Sequence, residues 1–554
     1  MPVLAPKPTP YDPDEWQELP LEERGRLACQ AWAVDGYGTP WGAYVFYFVK
    51  AVLYVLGWAF FCGLSAELGG LGSIGEWWLK PVAFEKAILF SMLFEGVGLG
   101  CGSGPLTARY FPPVGGPLYF LRPGTIKLPL IPAIGGGNRR TYLDVALYAA
   151  WFTVMVYALM VPRASGGVLL AILTLSAVMG VRDRTLLLAQ RAEHYWVTIL
   201  VFAAAAYLDE NAIAGAMCVQ LALWFWAGVS KLNHHFPSVV CVMTSNSPVA
   251  GRWMRRRVYR DFPNDLRPSR MATVMAHMGT VLELGVPVAF LIAWNRPSLL
   301  VAMALMLLLH GYITSSVPVG VPIEWNIMVV YGAFALFWAH PEVSPFDLQS
   351  PVVMLVLLLT CVGLPLFGNL FPSRLSFLFS MRYYAGNWAY SAWLFRKGSH
   401  AKLTKLIKSA PWVADQLERI YDARTVRGIL SKALGFRMMH LHGRALAKLI
   451  PKSACDLCEY DYMDGEIIAG LALGWNFGDG HLHSERLMEA IQERCAFEPG
   501  ELRAIFVESQ PLGGRSQRYR IVDAATGELE AGEVTIEELR STQPWSASPI
   551  ESVK

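Results

Sequence analysis

The stretch Leu221–Pro248 reads LALWFWAGVSKLNHHFPSVVCVMTSNSP and decides how the chain folds. An apolar, aromatic-rich segment runs to Gly228 and then meets Lys231 and a polar run of three residues. Pro237 disfavours continuation of the same helix. The pattern predicts an apolar helix that delivers a cluster of ionisable side chains to the edge of a membrane.

Lys231 has two interpretations at this position. It is either a snorkelling anchor, with its stem in lipid and its ammonium among the headgroups, or a base whose ammonium is partly withdrawn from water. Asn233, His234 and His235 lie within about one helical turn of it. We expect these three residues to bind a cofactor or substrate beside the lysine.

The composition places the chain among membrane proteins. Of its 554 residues 54% are hydrophobic and only 16% are charged, which is typical of a polytopic membrane protein with a soluble appendage. The net charge of +3 is too small to indicate a nucleic-acid partner. Nine scattered cysteines, an odd number, do not form a disulfide framework.

Hydropathy predicts about ten transmembrane helices, although a vertical span needs about twenty residues and some of these are shorter. They are Ala43–Leu64, Val82–Gly98, Thr141–Met160, Gly166–Gly180, Tyr195–Leu208, Ile213–Gly228, Met271–Trp294, Leu299–Thr314, Trp325–Ala339 and Val352–Leu370. The fold class is therefore an all-α polytopic membrane bundle with a small C-terminal cytoplasmic α+β domain.

Basic residues are distributed unequally between the two sets of loops. One set holds only Lys80, Arg163 and Arg296. The other holds Arg109, Arg122, Lys127, Arg139, Arg140, Arg182, Arg184, Arg191, Arg252, Arg255, Arg256, Arg257 and Arg260. By the positive-inside rule, this asymmetry predicts a multi-pass inner-membrane protein with both termini in the cytoplasm.

The chain divides into five parts. They are a polar lead-in at 1–42, the bundle at 43–372, aromatic and basic interfacial helices at 373–452, a small α+β domain at 453–545 and a tail at 546–554. The aromatic run at 381–395 predicts a belt at the membrane exit. The segment 401–452 lies either on anionic lipid or in a soluble domain. Strands are predicted at Arg503–Ser509, Gln517–Val522 and Glu528–Val534.

Ionisable residues inside the predicted spans are candidate catalytic groups, because each costs roughly 3 kcal/mol unless it is paired or hydrated. His194, His277, Glu283 and His310 fall within one run of the chain. Each could instead be a polar residue satisfied by a neighbouring helix. Taken together, they are expected to surround Lys231, which would then act as a general base.

The tail contains a second constellation of candidate ligands. Cys455 and Cys458 form a C-x-x-C pair, and His481 and His483 follow, with Cys495 nearby. Thiolates and imidazoles ligate zinc tetrahedrally. The spacing matches no standard zinc finger, so the alternative is a set of unrelated residues.

The sequence AGVSKL (227–232) after an aromatic helix resembles the AGV-x-KL motif of vitamin K-dependent gamma-carboxylase and its bacterial membrane relatives, a superfamily with a horizontally transferred transmembrane domain. The segment EHYW (193–196) is similar to an Asn-His-aromatic segment there, and the resemblance spans roughly 185–340. It implies that Lys231 is a base towards a reduced quinone, with His194 and His310 supporting the pocket.

Over its whole length the chain also resembles a family of large bacterial transmembrane proteins of unknown function. Three phrases carry this resemblance: LRPGT (121–125), SKLNHHFP (230–237) and GWNFG (474–478). This resemblance implies a membrane protein and no particular activity.

Three functions follow as hypotheses. The first is a membrane enzyme acting on a quinone or lipidic substrate, and it requires a closed pocket around Lys231. The second is a lipid or small-molecule transporter, which requires a pathway to both faces, and the third is a non-catalytic scaffold, which requires neither. Membrane lipids are the expected partners. The sequence does not define the substrate, any cofactor or the oligomeric state.

Overall fold

The computed structural model describes residues 3–100, 115–208, 210–316, 323–408, 410–454 and 457–548. Its longer helices are α1 Leu21–Asp35, α2 Trp41–Gly63, α3 Pro81–Gly96, α4 Tyr142–Met160, α5 Gly166–Arg182, α6 Tyr195–Leu208, α7 Ala212–Ser230, α8 Phe236–Asn246, α9 Arg270–Leu291, α10 Arg296–Ser316, α11 Ile323–Trp338, α12 Pro351–Leu370, α13 Ala423–Met439, α14 Leu446–Ser453, α15 Gly465–Leu473 and α16 Glu485–Cys495. Short helical turns lie at Pro13–Trp16, Ile74–Trp77, Gly116–Phe120, Pro132–Gly135, Arg184–Ala189, Arg252–Arg257, Val413–Leu417 and Ile536–Ser541.

Six helices are long and apolar enough to cross a membrane, namely α2, α4, α7, α9, α10 and α12. Helices α5, α6 and α11 are apolar but shorter than the roughly twenty residues that a vertical span needs. Helix α3 is buried over nearly its whole length and carries three charged residues. The described chain is therefore a transmembrane protein with six candidate spans, where the sequence predicts about ten.

Helix α7 is the centre of the bundle. The most apolar 18-residue stretch of α7 is 78% buried, whereas the corresponding stretches of the other candidate spans are 22–33% buried. It packs against α6, α9, α11 and α12. Apolar side chains on every face allow this, because a helix without a polar stripe can be buried all round.

The C-terminal unit is built on a five-stranded antiparallel sheet. Strands β1 Tyr259–Asp261 and β2 Asp265–Pro268 form a separate hairpin before α9. The sheet has the order β4-β3-β5-β6-β7. Its strands are β3 Tyr390–Arg396, β4 Tyr460–Asp464, β5 Leu502–Val507, β6 Ser516–Asp523 and β7 Gly527–Thr535. The three strands predicted after residue 500 are each confirmed within two residues.

The predicted aromatic belt at 381–395 is wrong in part. Residues Tyr390–Phe395 are buried inside β3, between β4 and β5. A strand covered on both faces has no apolar–polar alternation and therefore reads as a continuous hydrophobic run. The predicted boundary between 452 and 453 also cuts through this sheet, because β3 precedes it and β4 follows it.

The polar lead-in and the basic helices belong to the same folded unit. Helix α13 packs against α1 and buries its apolar stripe, including Leu434 and Met438. These are ordinary helices of a folded domain, the second of the two interpretations of 401–452. The unit docks on the bundle partly through backbone carbonyls, for example where Arg486 donates to Pro129 O at 2.7 Å and Arg122 donates to Lys408 O at 3.0 Å.

Candidate functional site

A cavity of about 260 Å³ lies between one end of the bundle and the C-terminal unit. Its wall is mainly aromatic and aliphatic. Six charged residues reach it: Arg191, Lys231, Glu283, Arg437, Asp464 and Glu466. A mostly apolar hollow with a few convergent polar groups is the usual form of a small-molecule site.

Lys231 and Glu283 form an ion pair in the cavity wall. Lys231 follows the last residue of α7, and its Nζ lies 2.6 Å from Oε2 of Glu283 on α9. The same Nζ donates to Ala227 O at 3.3 Å and lies 5.6 Å from the centre of the Phe236 ring. Lys231 is only 9% exposed. It therefore points into the protein, whereas an anchor would extend its ammonium to the headgroups.

His310 lies in the same wall and has both ring nitrogens engaged. Nε2 lies 2.9 Å from the indole nitrogen of Trp224, and Nδ1 lies 2.9 Å from Oδ1 of Asn326. An indole can only donate and an amide oxygen can only accept. The imidazole is therefore neutral with its proton on Nδ1. In this arrangement it orients α7, α10 and α11 and has no lone pair free for a substrate.

His194 is buried beside the cavity and not in its lining. Its ring stacks on Tyr195 at 4.6 Å and meets Trp325 edge-on at 6.3 Å. Trp325 lines the cavity and is also covered by the guanidinium of Arg191, which lies 4.9 Å from the ring centre. Nε of Arg191 is held by Glu193 at 2.7 Å. His194 thus supports an aromatic wall, and Arg191 is the charged group that reaches the cavity from this segment.

His277 does not join the cluster. It is exposed on α9, whereas Thr280 and Glu283 of the same helix are buried. His277 precedes Glu283 by six positions, which leaves their side chains about 120° apart around a helix. The expectation that both surround Lys231 is therefore wrong for His277.

The three polar residues that follow Leu232 point in different directions. Asn233 accepts hydrogen bonds from the backbone N–H groups of His235 and Phe236 at 2.7 and 3.1 Å, so it stabilises the turn that leads into α8. His234 is exposed. His235 is buried with Nε2 2.8 Å from Oε1 of Gln510, and burial lowers its pKa to about 4. None of the three lines the described cavity.

The C-terminal unit supplies a charged floor. Arg437 on α13 binds both oxygens of Asp464 at 2.9 and 3.0 Å and one oxygen of Glu466 at 3.0 Å. Burial raises the pKa of Glu466 to about 7. Burial acts on Asp464 in the same direction, but the charge and hydrogen bonds of Arg437 hold its pKa below the usual range. One guanidinium thus faces two carboxyl groups, and Glu466 is the one that titrates near neutrality.

Two buried histidines lie behind this floor. Nδ1 of His442 lies 2.8 Å from Gly386 O, and Nδ1 of His440 lies 2.8 Å from Phe436 O. Burial lowers the pKa of His440 to about 3 and that of His442 well below its usual value. Both are neutral at physiological pH, so they do not balance the second carboxyl group.

The predicted zinc ligands are not assembled in the described part of the chain. Cys455 lies outside the described residues. Cys458 precedes β4, and its Sγ lies 3.9 Å from Glu18 O. His483 lies at the other end of the β3–β4 pair, where its Nδ1 is 2.7 Å from Ser391 Oγ. His481 pairs with Glu508, and Cys495 is a buried thiol on α16. Nowhere among the described residues do three or more candidate ligands form a metal-binding group.

Sequence reasoning missed the polar groups outside the bundle. Arg437, Asp464 and Glu466 lie in a domain where charged residues are common, and no motif distinguishes them. Asp464 ends β4 and caps α15 by accepting the backbone N–H of Glu466 at 3.0 Å. An Asp-x-Glu pattern therefore indicates site residues only when the strand and the helix that it joins are already known.

A family model described as "Transmembrane protein of unknown function (DUF3556)" matches residues 1–553. Searches of curated proteins and of solved structures returned no match. The family match agrees with the resemblance to a family of transmembrane proteins of unknown function. No comparison supports the resemblance to gamma-carboxylase.

Proposed function

The chain belongs to this family of transmembrane proteins of unknown function, and on that premise we propose that it is a membrane enzyme whose cavity holds an amphipathic, lipid-derived substrate. In this proposal Lys231 is the general base. The observation that carries it is the 2.6 Å contact between Lys231 and Glu283 in the wall of an apolar cavity.

The ion pair can change its protonation when the cavity is filled. An apolar substrate excludes water from around the pair, and desolvation disfavours two separate charges. Transfer of one proton from Lys231 to Glu283 then leaves a neutral amine beside a carboxylic acid. The amine can accept a proton from the substrate, and the resulting ammonium pairs with the substrate anion while Glu283 keeps the transferred proton.

The position of the cavity favours catalysis or binding over transport. Its bundle residues come from the last two turns of α7, from α8, from the middle of α9, from the end of α10 and from the start of α11. The ends of α7, α10 and α11 face the C-terminal unit, and along α9 the described lining ends at Glu283, without continuing to the opposite end of the bundle. A transport pathway needs openings on both faces, which a hollow at one end does not supply.

A quinone-like substrate is compatible with this wall but rests on the gamma-carboxylase resemblance alone. Flat rings pack well against aromatic side chains, and Trp325, Tyr383 and Trp388 all line the cavity. Lipid-derived molecules with other polar ends use the same features. The substrate class is therefore lipidic, and reduced quinone is one member of that class.

The proposed topology has ten passes and a cytoplasmic C-terminal unit. It adds α3, α5, α6 and α11 to the six candidate spans, as tilted or protein-covered helices. The described basic residues at the ends that face the C-terminal unit outnumber those at the other end, where Lys80, Arg163 and Arg296 lie. The positive-inside rule then puts the cavity at the cytoplasmic side of an inner membrane.

Replacement of Lys231 tests the proposal. A strain that lacks the gene is complemented with wild type, Lys231→Arg or Lys231→Ala at equal membrane abundance. Both variants should fail, since a guanidinium does not deprotonate at accessible pH. Lys86→Arg is the matched control, because the hydrogen bonds of Lys86 Nζ to the described residues all go to carbonyls, including Leu159 O at 2.7 Å and Val161 O at 2.8 Å. Rescue by Lys231→Arg would refute the base role.

A further inference from the structure

A cationic recess of about 660 Å³ lies where the chain enters α9. It is formed by the β1–β2 hairpin and the preceding helical turn, and we call it the arginine recess, defined by Arg256, Arg257, Arg260 and Arg270. We propose that the arginine recess binds the phosphate of an anionic phospholipid whose acyl chains lie along α9. This proposal does not depend on the Lys231 cavity.

The charge of the recess is largely uncompensated. Its four arginines are exposed, and no carboxylate of the described residues lies within ion-pair distance of them. Asp261 is the acidic residue of the lining. The neighbouring Arg267 shows the contrast, because its guanidinium contacts Asp265 at 2.6 Å. A surplus of guanidinium groups at the end of a candidate span fits an anionic headgroup.

Aromatic rings orient two of these guanidinium groups. Arg256 lies 5.6 Å from the centre of the Phe262 ring, and Arg257 lies 4.8 Å from that of Trp253. Trp253 is itself 59% exposed, as is usual for tryptophan at a membrane–water boundary. Arginines fixed in this way keep their planar donors available for phosphate oxygens.

An apolar stripe leads from the recess into the membrane. Met271 lines the recess, and Val274, Met278 and Val281 follow at spacings of three and four residues, so all four lie on one face of α9. The last three are 60%, 63% and 63% exposed. Inorganic phosphate would use the arginines alone, whereas a phospholipid uses both the arginines and the stripe.

The site is separate from the candidate catalytic cavity. Glu283 and Thr280 of α9 are buried against the bundle, while Val274, Met278 and Val281 face outwards. The two sites therefore occupy different faces of one helix. Substitutions in the arginine recess therefore leave the Lys231–Glu283 pair unchanged, and their effect on lipid binding can be measured separately.

The test titrates the full-length protein, in a mild neutral detergent, with short-chain phosphatidylglycerol or phosphatidylcholine and counts bound lipid by native mass spectrometry. Arg256→Gln/Arg260→Gln should weaken phosphatidylglycerol binding at least about tenfold, since it removes two of the four guanidinium groups of the arginine recess. Arg256→Lys/Arg260→Lys keeps the charge but loses the planar donors, so it should bind phosphatidylglycerol more tightly than the Gln variant and less tightly than wild type. The matched control, Arg419→Gln/Arg515→Gln, removes two exposed arginines of the C-terminal unit and should bind like wild type.

Three outcomes would overturn the proposal. The first is equal binding of phosphatidylglycerol by the recess variant and the control variant, and the second is equal binding of the two lipids by wild type. The third is full displacement of phosphatidylglycerol by inorganic phosphate at the same concentration, which would show that the stripe adds nothing and that the ligand is not a lipid. Failure of the Lys231 test would leave this result unchanged.

Discussion

The indole nitrogen of Trp224 lies 2.9 Å from Nε2 of His310. This single contact fixes the tautomer of the histidine, because an indole has no acceptor. The other ring nitrogen is then the donor to Asn326. Three helices of the cavity wall are joined by this chain of two hydrogen bonds, and His310 is a positioning residue.

Trp224→Phe should destabilise the bundle. The substitution leaves Nε2 of His310 buried without its donor, and interhelical hydrogen bonds in membranes are worth about 0.6–2 kcal/mol. Thermal denaturation of the purified protein would measure the loss as a lower Tm. Trp253→Phe is the control. Because Trp253 is exposed, this substitution should leave Tm nearly unchanged. Equal Tm values for wild type and Trp224→Phe would refute a stabilising role for the Trp224–His310 hydrogen bond.

Glu283→Gln should abolish function and also lower stability. The substitution keeps the shape but leaves the ammonium of Lys231 in an apolar wall without its carboxylate, and breaking a buried pair costs about 3–5 kcal/mol. The double variant Lys231→Met/Glu283→Met removes both charges. It should recover much of the stability but not the complementing activity. Restored complementation in the double variant would show that the pair is structural only.

Glu466 should make stability depend on pH. Burial raises its pKa from the ordinary carboxyl range to about 7, so between about pH 4.5 and 7 the folded state holds a proton that the unfolded state has released. Stability is therefore lost as pH rises through this window. Glu466→Gln removes this titrating group, so the Tm of the variant minus the Tm of wild type should increase from pH 5 to pH 8. Glu489→Gln, on the exposed side of α16, is the control, and its Tm difference from wild type should stay constant over this range.

The sequence predicted the elements whose local pattern is distinctive. Helix α7 and the Lys231 position follow from an apolar run that ends in a charge, and β5–β7 follow from alternation and turn residues. His277 illustrates a prediction that helical phase alone could have corrected. It shares its face with the exposed Val274 and Val281, whereas Glu283 shares its face with the buried Ala276.

Other features depend on contacts between distant segments. The floor of the cavity joins Arg437 to Asp464 across the C-terminal unit, and Lys231 meets Glu283 only because α7 and α9 pack together. No spacing rule encodes these pairs. Strand β3 was missed for a related reason, since burial by β4, β5 and the covering helices removes the alternation that marks a half-exposed strand.

The last prediction concerns orientation. A reporter fused after Lys554 should be active only in its cytoplasmic form, because the helix ends that face the C-terminal unit carry most of the basic residues. A second reporter inserted at Asn295, in the turn between α9 and α10, should report the opposite side, since that turn precedes Arg296 at the far end of the bundle. Reversed signals would place the Lys231 cavity outside the cytoplasm. Signals from the same side at both positions would contradict α9 as a membrane span.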